Sequence, residues 1–204
     1  EQQKRLMSII QDDVARLDRL ISDISDASRL DAELSRSESA EVDLARMLSA
    51  LAEMHEVTRA ESEREGGDPQ VRLSFETQGA GPFTVRGNGD RLVQVFRNLI
   101  GNAITFSPPG GTIHLTLVRD GAVVEARIDD EGPGIPPAKL EAIFERFYTE
   151  RPEAEKFGTH SGLGLSISKQ IVEAHNGAIR ASNRLDGAGR ALGARFAVRL
   201  PALD

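Results

Sequence analysis

Three glycines stand close together just before an apolar helical pattern, in the stretch GTHSGLGLSI (residues 158–167). Gly158, Gly162 and Gly164 would allow the backbone to turn sharply and to approach another group closely. The first N–H groups of the helix that follows have no partner within the helix, and its dipole favours a negative charge beside them. The stretch therefore predicts a turn that faces a phosphate. A flexible helix cap is the alternative, and the usual P-loop is excluded because no Gly-Lys-Ser/Thr follows.

A second glycine pair follows an alternating apolar stretch, in DDEGPGI (residues 129–135). A carboxylate at the end of a strand, such as Asp130, can accept a hydrogen bond from the exocyclic amine of adenine. Gly132 and Gly134 would let a ligand approach the backbone at this point. Taken alone, such a string is equally consistent with an ordinary turn.

Two asparagines four residues apart lie in RNLIGNAITFS (residues 97–107). The spacing places the amides of Asn98 and Asn102 on one face of a helix. An amide oxygen is a suitable ligand for Mg²⁺, which keeps several waters and also binds substrate phosphates. Without the neighbouring stretches, exposed helix asparagines would explain the pair.

An aromatic segment separates the two glycine stretches, in IFERFYTERPEAEKFG (residues 143–158). It holds Phe144, Phe147 and Tyr148 beside the cationic side chains of Arg146 and Arg151. A connection of this length in a compact domain is usually functional and is often a lid. We expect the aromatic residues to anchor its start.

The elements that must position these residues are mixed helices and strands without regular βαβ alternation. Residues 1–36 carry a long heptad-like helical pattern that needs a partner helix to bury its apolar face, a bundle being favoured over packing on this chain's own domain. Further on, the patterns predict helices over 42–60, 90–106 and 162–175, the last of them ended by Asn176-Gly177. The predicted apolar face of the second of these helices consists of Leu92, Val95, Phe96, Leu99, Ile100 and Ala103. Strands are predicted over 71–77, over 83–87, in the hairpin 112–130 with an Asp120-Gly121 turn, and twice after Gly177. The pattern predicts an α+β fold, a two-layer α/β sandwich preceded by a long bundle-forming helix.

The composition narrows the class of protein. A chain of 204 residues with 39% apolar and 28% charged residues is typical of a globular protein. A net charge of −7, one Tyr and no Trp argue against nucleic-acid binding, and the absence of Cys excludes disulfides and thiolate metal sites. No apolar run reaches the ~20 residues of a membrane span, and the start at Glu1 within a helical pattern predicts a fragment of a longer protein.

Taken in order, the four stretches resemble the nucleotide-binding domain of bacterial sensor histidine kinases. NLIGNAITFS resembles the asparagine box of that family, DDEGPGI its first glycine box, IFERFY its phenylalanine box and SGLGLSI its second glycine box. The resemblance covers about residues 40–204 and implies the fold shared with gyrase-type ATPases. Residues 1–36 resemble the second helix of the dimerisation domain, and DRLISDISDASRLDAEL resembles the ChvG-type envelope sensor kinases of alphaproteobacteria. The implied domains are a partial dimerisation domain over 1–38 and a catalytic ATP-binding domain over 39–204.

The resemblance also implies a role for each matching residue. Asn102 would ligate Mg²⁺ and act with Asn98 as the catalytic pair, and Asp130 would hold the adenine amino group. Backbone amides at Gly162, Leu163 and Gly164 would face the phosphates. The implied nucleotide-binding set is Asp130, Gly132, Gly134, Ile135, Asn98, Thr105, Phe106, Phe144, Arg146, Phe147, Tyr148, Gly158, Ser161, Gly162, Leu163, Gly164 and Leu165.

The implied reaction transfers the γ-phosphoryl group of ATP, with Mg²⁺, to a histidine and from there to a response-regulator aspartate. None of the four histidines, His55, His114, His160 and His175, stands in the family's phosphoacceptor context, so that histidine is expected upstream of Glu1. The resemblance further implies a homodimer through residues 1–36, a response regulator as partner, and membrane contact only through upstream segments. The chain would then be a cytoplasmic domain of an inner-membrane sensor.

Two alternatives stay open within this resemblance. A gyrase-type hydrolase generally carries Glu where this chain has Asn98, and an amide cannot serve as the general base. A degenerate, non-catalytic regulatory module that dimerises is the other alternative. It draws support from Thr105, because many family members have a Lys there that would bring a positive charge to the phosphates.

Overall fold

The fold is a mixed five-stranded sheet with three helices packed against its apolar face, in a computed structural model that describes Val14 and residues 39–65, 70–148 and 162–203. The strands are β1 (Ala40–Asp43), β2 (Arg72–Gln78), β3 (Thr84–Gly87), β4 (Thr112–Asp120), β5 (Val123–Asp129), β6 (Ala178–Leu185) and β7 (Ala191–Pro201). The helices are α1 (Leu44–Arg64), α2 (Gly89–Phe106) and α3 (Gly164–Ala174), with short 3₁₀ turns at Pro137–Lys139 and Ala142–Phe144. The architecture confirms the predicted two-layer α+β sandwich.

The sheet has the strand order β2-β4-β5-β7-β6. Strands β2 and β4 run parallel, and the other neighbours are antiparallel. Alternate residues point to the helices, because successive side chains of a strand face opposite sides. The buried members of this inner face include Leu73, Ile113, Leu115, Leu117, Val124, Ala126, Ile128, Ile179, Phe196, Val198 and Leu200. A separate antiparallel pair joins β1 to β3.

Helix α2 is the central element of the helical layer. The Asn88 side chain accepts a hydrogen bond from the Arg91 backbone N–H at 3.0 Å, which satisfies one of the free donors at the helix start. Its buried face consists of Leu92, Val95, Phe96, Leu99, Ile100 and Ala103, the residues that the helical periodicity predicts. This face packs on β4, β5 and α3, and Pro108 follows the last turn. Helix α2 therefore carries Asn98 and Asn102 on a rigid, buried support.

The end of α3 is joined to the start of α2 through His175. The His175 Nε2 accepts from the Asn88 backbone N–H at 2.9 Å, and Nδ1 therefore carries the proton that is donated to the Ile171 carbonyl at 2.7 Å. Both ring nitrogens are thus engaged in a buried structural role. Asn176, with a φ of +56°, ends the helix where the Asn176-Gly177 pair predicts its end.

Some predictions differ from the structure or lie outside it. Asp120 pairs with Val123, so the hairpin turn consists of Gly121 and Ala122, one residue later than predicted, with the positive φ at Gly121. Val14 apart, residues 1–38 lie outside the described residues, so the predicted helix over 1–36 and the domain boundary at 38/39 stay predictions. Across the ranges that the structure describes, no helix has the length and apolar character needed to cross a membrane.

Candidate nucleotide-binding site

Helix α2 carries the asparagine stretch and contacts two other predicted stretches: the loop after β5 lies against its end, and the start of α3 lies against its middle. A Cβ at Gly132 would lie 2.6 Å from the Phe106 carbonyl oxygen. The backbone of the first glycine stretch therefore packs directly against the backbone at the end of α2. The Asn98 Nδ2 lies 3.2 Å from the Gly164 carbonyl oxygen, which joins α2 to the second glycine stretch. The fold therefore assembles the asparagine helix and both glycine stretches into one candidate site.

Asp130 lies at the end of β5 and is 3% exposed. Its Oδ1 accepts hydrogen bonds from the backbone N–H groups of Gly132 and Ala194, each at 2.8 Å. Its Oδ2 makes no hydrogen bond with the described residues. Burial raises the pKa of Asp130 above its ordinary value, against the lowering effect of those two N–H groups. One carboxylate oxygen is thus fixed, and the other is available as an acceptor.

Strands β6 and β7 supply much of the support for Asp130, which the sequence analysis missed. The Ala194 N–H holds the carboxylate, and the Arg184 Nη1 donates to the Asp130 backbone carbonyl at 2.9 Å. A Cβ at Gly193 would collide with that same carbonyl, so the close approach of β7 requires glycine. An isolated glycine within a strand pattern is a recognised sign of such an approach, and Gly193 was the available signal.

An ion pair fixes Asp129, the residue before Asp130. The guanidinium of Arg195 contacts both oxygens of Asp129, at 2.7 Å and 2.5 Å, in a bidentate arrangement. The Arg184 Nε lies 3.7 Å from the Asp129 Oδ2. Bidentate arginine–carboxylate pairs are geometrically specific, so the end of β5 is held in a defined orientation.

The loop after Asp130 is held at Ile135 by Asn183 of β6. The Ile135 N–H donates to the Asn183 Oδ1 at 2.7 Å, and the Asn183 Nδ2 donates to the Ile135 carbonyl at 2.7 Å. Gly134, the residue before Ile135, has a φ of +78°, and a Cβ there would lie 2.8 Å from the Asn183 Oδ1. The predicted site residues Gly132, Gly134 and Ile135 therefore line one tightly held loop beside Asp130.

The two asparagines of α2 have different surroundings. The Asn98 Nδ2 donates to the Gly164 carbonyl and to the Ser168 Oγ, at 3.2 Å and 3.4 Å, so its amide hydrogens are committed to α3. The half-buried Asn102 makes no hydrogen bond through its side chain with the described residues. Its amide oxygen is therefore free to serve as a ligand for a hard cation.

The Thr105 hydroxyl is engaged within α2. Its Oγ1 donates to the Gly101 carbonyl at 3.0 Å. Because a hydroxyl has a single proton, Thr105 in this geometry cannot donate a hydrogen bond to a phosphate oxygen. It also brings no positive charge to the site.

Two of the three aromatic residues, Phe144 and Tyr148, anchor the start of the segment on the core, whereas the prediction is wrong for the exposed Phe147. The rings of Phe144 and Phe196 meet edge to face, with centroids 6.4 Å apart, and the Lys139 Nζ lies 5.8 Å from the ring centroid of Tyr148. Phe147 is 65% exposed with a φ of +65°, and its N–H donates to the Gly162 carbonyl at 3.0 Å. Arg146 is exposed. The two ends of the predicted lid therefore touch each other through Phe147 and Gly162.

The start of α3 shows how the second glycine stretch is shaped. Gly162 has a φ of +71°, and the buried Leu163 carbonyl accepts from the Ser166 Oγ and the Ile167 N–H, each at 2.9 Å. Leu165 packs against the core. Gly158 and Ser161, together with His160, Arg151 and Lys156, lie outside the described residues. Of the other histidines, His55 contacts the Val71 carbonyl and His114 contacts Ser74, so both have structural partners.

The residues of this site fit a cation that is held mostly by its substrate. In the described ranges, no group of three or more His, Cys, Asp or Glu is placed to hold a metal ion. Asn102 provides one suitable oxygen, and Mg²⁺ commonly takes its remaining ligands from waters and phosphates. The donor set therefore suits a metal that arrives with a nucleotide.

Comparison with known proteins gives the family. Residues 87–204 match the family described as "Histidine kinase-, DNA gyrase B-, and HSP90-like ATPase". The chain is 48% identical over 207 residues to the sensor protein ChvG of Rhizobium meliloti, covering 99% of this chain and 35% of that protein. It therefore spans about a third of the length of this curated relative.

Solved structures agree with this assignment. A mycobacterial sensor histidine kinase, MprB, has a TM-score of 0.64 and 30% identity, over 80% of this chain and 97% of that one. Full-length ShkA in complex with AMPPNP has a TM-score of 0.73 and 25% identity, over 98% of this chain and 39% of that one. The chain belongs to the family of histidine kinase-, DNA gyrase B- and HSP90-like ATPases, as the ATPase domain of a sensor histidine kinase.

Proposed function

We propose that this chain binds Mg²⁺-ATP and transfers the γ-phosphoryl group to a histidine of a dimerisation domain, for relay to a response-regulator aspartate. The observation that carries the proposal is Asp130, whose Oδ1 is fixed by two backbone N–H groups and whose Oδ2 has no partner among the described residues. A buried acceptor held in this way is complementary to the amino group of adenine. It lies beside the glycine loop that packs against the end of the asparagine helix.

The phosphate end of the site is formed by α2 and α3. Asn102 would hold Mg²⁺ through its amide oxygen, and the cation would offset the charge that develops on the phosphates. Gly162, Leu163 and Gly164 would present backbone N–H groups at the start of α3. Asn98 supports this arrangement by its hydrogen bond to the Gly164 carbonyl. Phe144, Phe147, Tyr148 and Arg146 would belong to the lid.

Transfer is favoured over hydrolysis because of the group at position 98. The Asn98 amide is neutral and donates its hydrogens to α3, so it cannot take a proton from an attacking water. A nucleotide held without such a base is protected from water attack and remains available to an incoming histidine. Three relatives support this proposal: ShkA was solved with AMPPNP, MprB is named as a sensor histidine kinase, and ChvG is named as a sensor protein.

The remaining parts of the proposal concern the intact protein. We infer a homodimer through residues 1–36, a response regulator as partner, and a place in the cytoplasm below an inner-membrane sensor segment. These inferences rest on the family resemblance and on the names of the relatives. A non-catalytic regulatory module is the second candidate, and the engagement of the Thr105 hydroxyl with Gly101 is the observation in its favour.

The first test is a calorimetric titration with ATP in the presence and absence of Mg²⁺. We expect Mg²⁺-dependent binding that is lost in Asp130→Ala and retained in Asp120→Ala, an exposed aspartate at the hairpin turn. Phosphorylation of a histidine-bearing dimerisation fragment from a sensor kinase would then establish transfer. Absence of binding up to millimolar ATP would contradict the proposal and favour the regulatory module, whereas binding with rapid release of free phosphate would favour a hydrolase.

A further inference from the structure

The loop between Asp130 and Ile135 is held at both of its ends by the β6–β7 hairpin. At the first end, the Ala194 N–H and the Arg184 guanidinium contact Asp130. At the second end, Asn183 makes two hydrogen bonds with the backbone of Ile135, each at 2.7 Å. The loop that follows the adenine-facing carboxylate therefore has one anchor at each boundary.

The chemistry at the second anchor is specific to asparagine. The Ile135 backbone offers one N–H donor and one carbonyl acceptor, and the carboxamide of Asn183 supplies one acceptor and one donor in return. An aspartate would place a carboxylate oxygen against the Ile135 carbonyl, and an alanine would leave both groups without this partner. The pair thus imitates the exchange of hydrogen bonds between neighbouring strands.

Packing around the anchor leaves the loop little freedom. A Cβ at Gly134 would lie 2.8 Å from the Asn183 Oδ1 and 2.9 Å from the Ala191 Cβ, so the hairpin and the loop are in direct contact at this point. Ile135 itself is partly buried against the core. A loop held in this way retains its shape before a ligand arrives, which lowers the entropy lost on binding.

We propose that Asn183 is a positioning residue for the nucleotide. It holds Ile135, and through it the loop of Gly132 and Gly134, in the arrangement that receives adenine beside Asp130. The inference rests on the proposed binding of ATP at this site. It assigns a role to a residue of β6, which none of the four motif stretches contains.

The test compares ATP affinity and the fraction of binding-competent protein in the same titration. In Asn183→Ala, we expect the Kd for Mg²⁺-ATP to rise about tenfold, as for the loss of a paired hydrogen bond, with unchanged stoichiometry. A purely structural role would instead lower the stoichiometry through unfolded protein and leave the Kd of the remainder unaltered. Ser182→Ala is the matched control, because Ser182 is the exposed neighbour on the same strand.

A second variant keeps the inference testable if Asn183→Ala fails to fold. Asn183→Asp preserves the volume of the side chain and the acceptor for the Ile135 N–H. Its second carboxylate oxygen, in place of the Nδ2 donor, would repel the Ile135 carbonyl oxygen. We expect its Kd to rise at least as much as that of the alanine variant. A Kd unchanged from the wild type in either folded variant would overturn the inference while the proposed function stands, provided that Asp130→Ala still abolishes binding. A wild-type chain that binds no ATP would overturn both.

Discussion

At the scale of single residues, the burial of Asp130 places a candidate binding group in the site at a cost to the stability of the folded protein. Burial raises its pKa, so the folded state binds the proton more tightly than the unfolded chain does. Stability is therefore lost as the pH rises from the ordinary aspartate pKa through the raised one. At neutral pH, the ionised carboxylate is an acceptor for a ligand and a cost to the fold.

The isosteric variant Asp130→Asn separates these two effects. Its oxygen can still accept from Gly132 and Ala194, but an amide donor then occupies the position of Oδ2 and faces the adenine amino group. We expect ATP affinity to fall at least about tenfold, with a melting temperature at pH 7 equal to or above that of the wild type. Calorimetric titration and thermal unfolding measure the two quantities. The difference in melting temperature should vanish below the ordinary aspartate pKa, and a strongly lowered melting temperature at pH 7 would contradict this account.

The protonation of Asp130 also predicts a pH dependence of nucleoside binding. A protonated carboxyl is a poorer acceptor for the adenine amine, so binding is present above the raised pKa and is lost as the pH falls through it. Adenosine is the appropriate ligand, because it has no phosphate whose titration would contribute. We expect its affinity to decline at a pH above the ~3.9 of an ordinary aspartate, measured by ligand-observed NMR. Asp130→Asn should show weak binding without this decline, and a pH-independent wild type would argue against the assignment.

At the scale of elements, helix α3 is joined to α2 at both of its ends. His175 joins the end of α3 to Asn88 at the start of α2, and Asn98 joins the middle of α2 to Gly164 at the start of α3. The second connection lies within the candidate site itself. The position of the phosphate-facing turn is therefore set by the asparagine helix as well as by its own glycines.

Removing the second connection should affect both stability and binding. For Asn98→Ala, we expect the free energy of unfolding to fall by about 1 kcal/mol, because the Gly164 carbonyl and the Ser168 hydroxyl lose a donor. ATP affinity should fall as well, since the start of α3 is less well held. Denaturant unfolding and calorimetric titration check the two effects, with the exposed neighbour Arg97→Ala as control. A loss of stability with unchanged affinity would limit Asn98 to a structural role.

At the scale of the whole molecule, the net charge of −7 opposes the approach of a polyanion such as ATP. Attraction must therefore come from local groups, among them the N–H donors at the start of α3, the exposed Arg146 and the cation that arrives with the nucleotide. This is a physical reason to expect binding to depend strongly on Mg²⁺. It also agrees with Thr105, which adds no positive charge to compensate.

The proposed division between residues 1–38 and 39–204 predicts separable properties. The contacts described for the site lie between Asn98 and Phe196, so deletion of residues 1–38 should change ATP affinity by less than about twofold. Self-association should be lost, since the apolar helical pattern of residues 1–36 is the part that needs a partner helix. Sedimentation of the full chain and of the chain without residues 1–38, over a range of concentrations, measures self-association. Equal self-association of the two would place the dimer contact elsewhere.

The sequence by itself determined the motif stretches, the three described helices and six of the seven described strands, because these depend on local spacing, whereas the short strand β1 was not predicted. The periodicity of α2 identified its six buried residues, and the Asn176-Gly177 pair identified the end of α3. Glycine spacing and the position of Asp130 after a strand identified the candidate nucleotide site. The one-residue difference at the Gly121-Ala122 turn shows the usual limit of such reasoning, because register depends on the partner strand.

Only the tertiary structure decided how the site is supported. Asn183 contacts Ile135 across 48 residues of sequence, Arg184 contacts Asp130 across 54, and Ala194 contacts Asp130 across 64. Gly193 signals that some backbone approaches β7 closely, but no local pattern identifies the partner, because these contacts arise when β7 pairs with both β5 and β6 in one sheet. The same holds for Thr105. From the sequence its hydroxyl could contact a phosphate, but in the folded helix it donates to the Gly101 carbonyl. Residue types thus indicate the chemistry that a chain can perform, and the pairing of distant strands decides which groups are held in place for it.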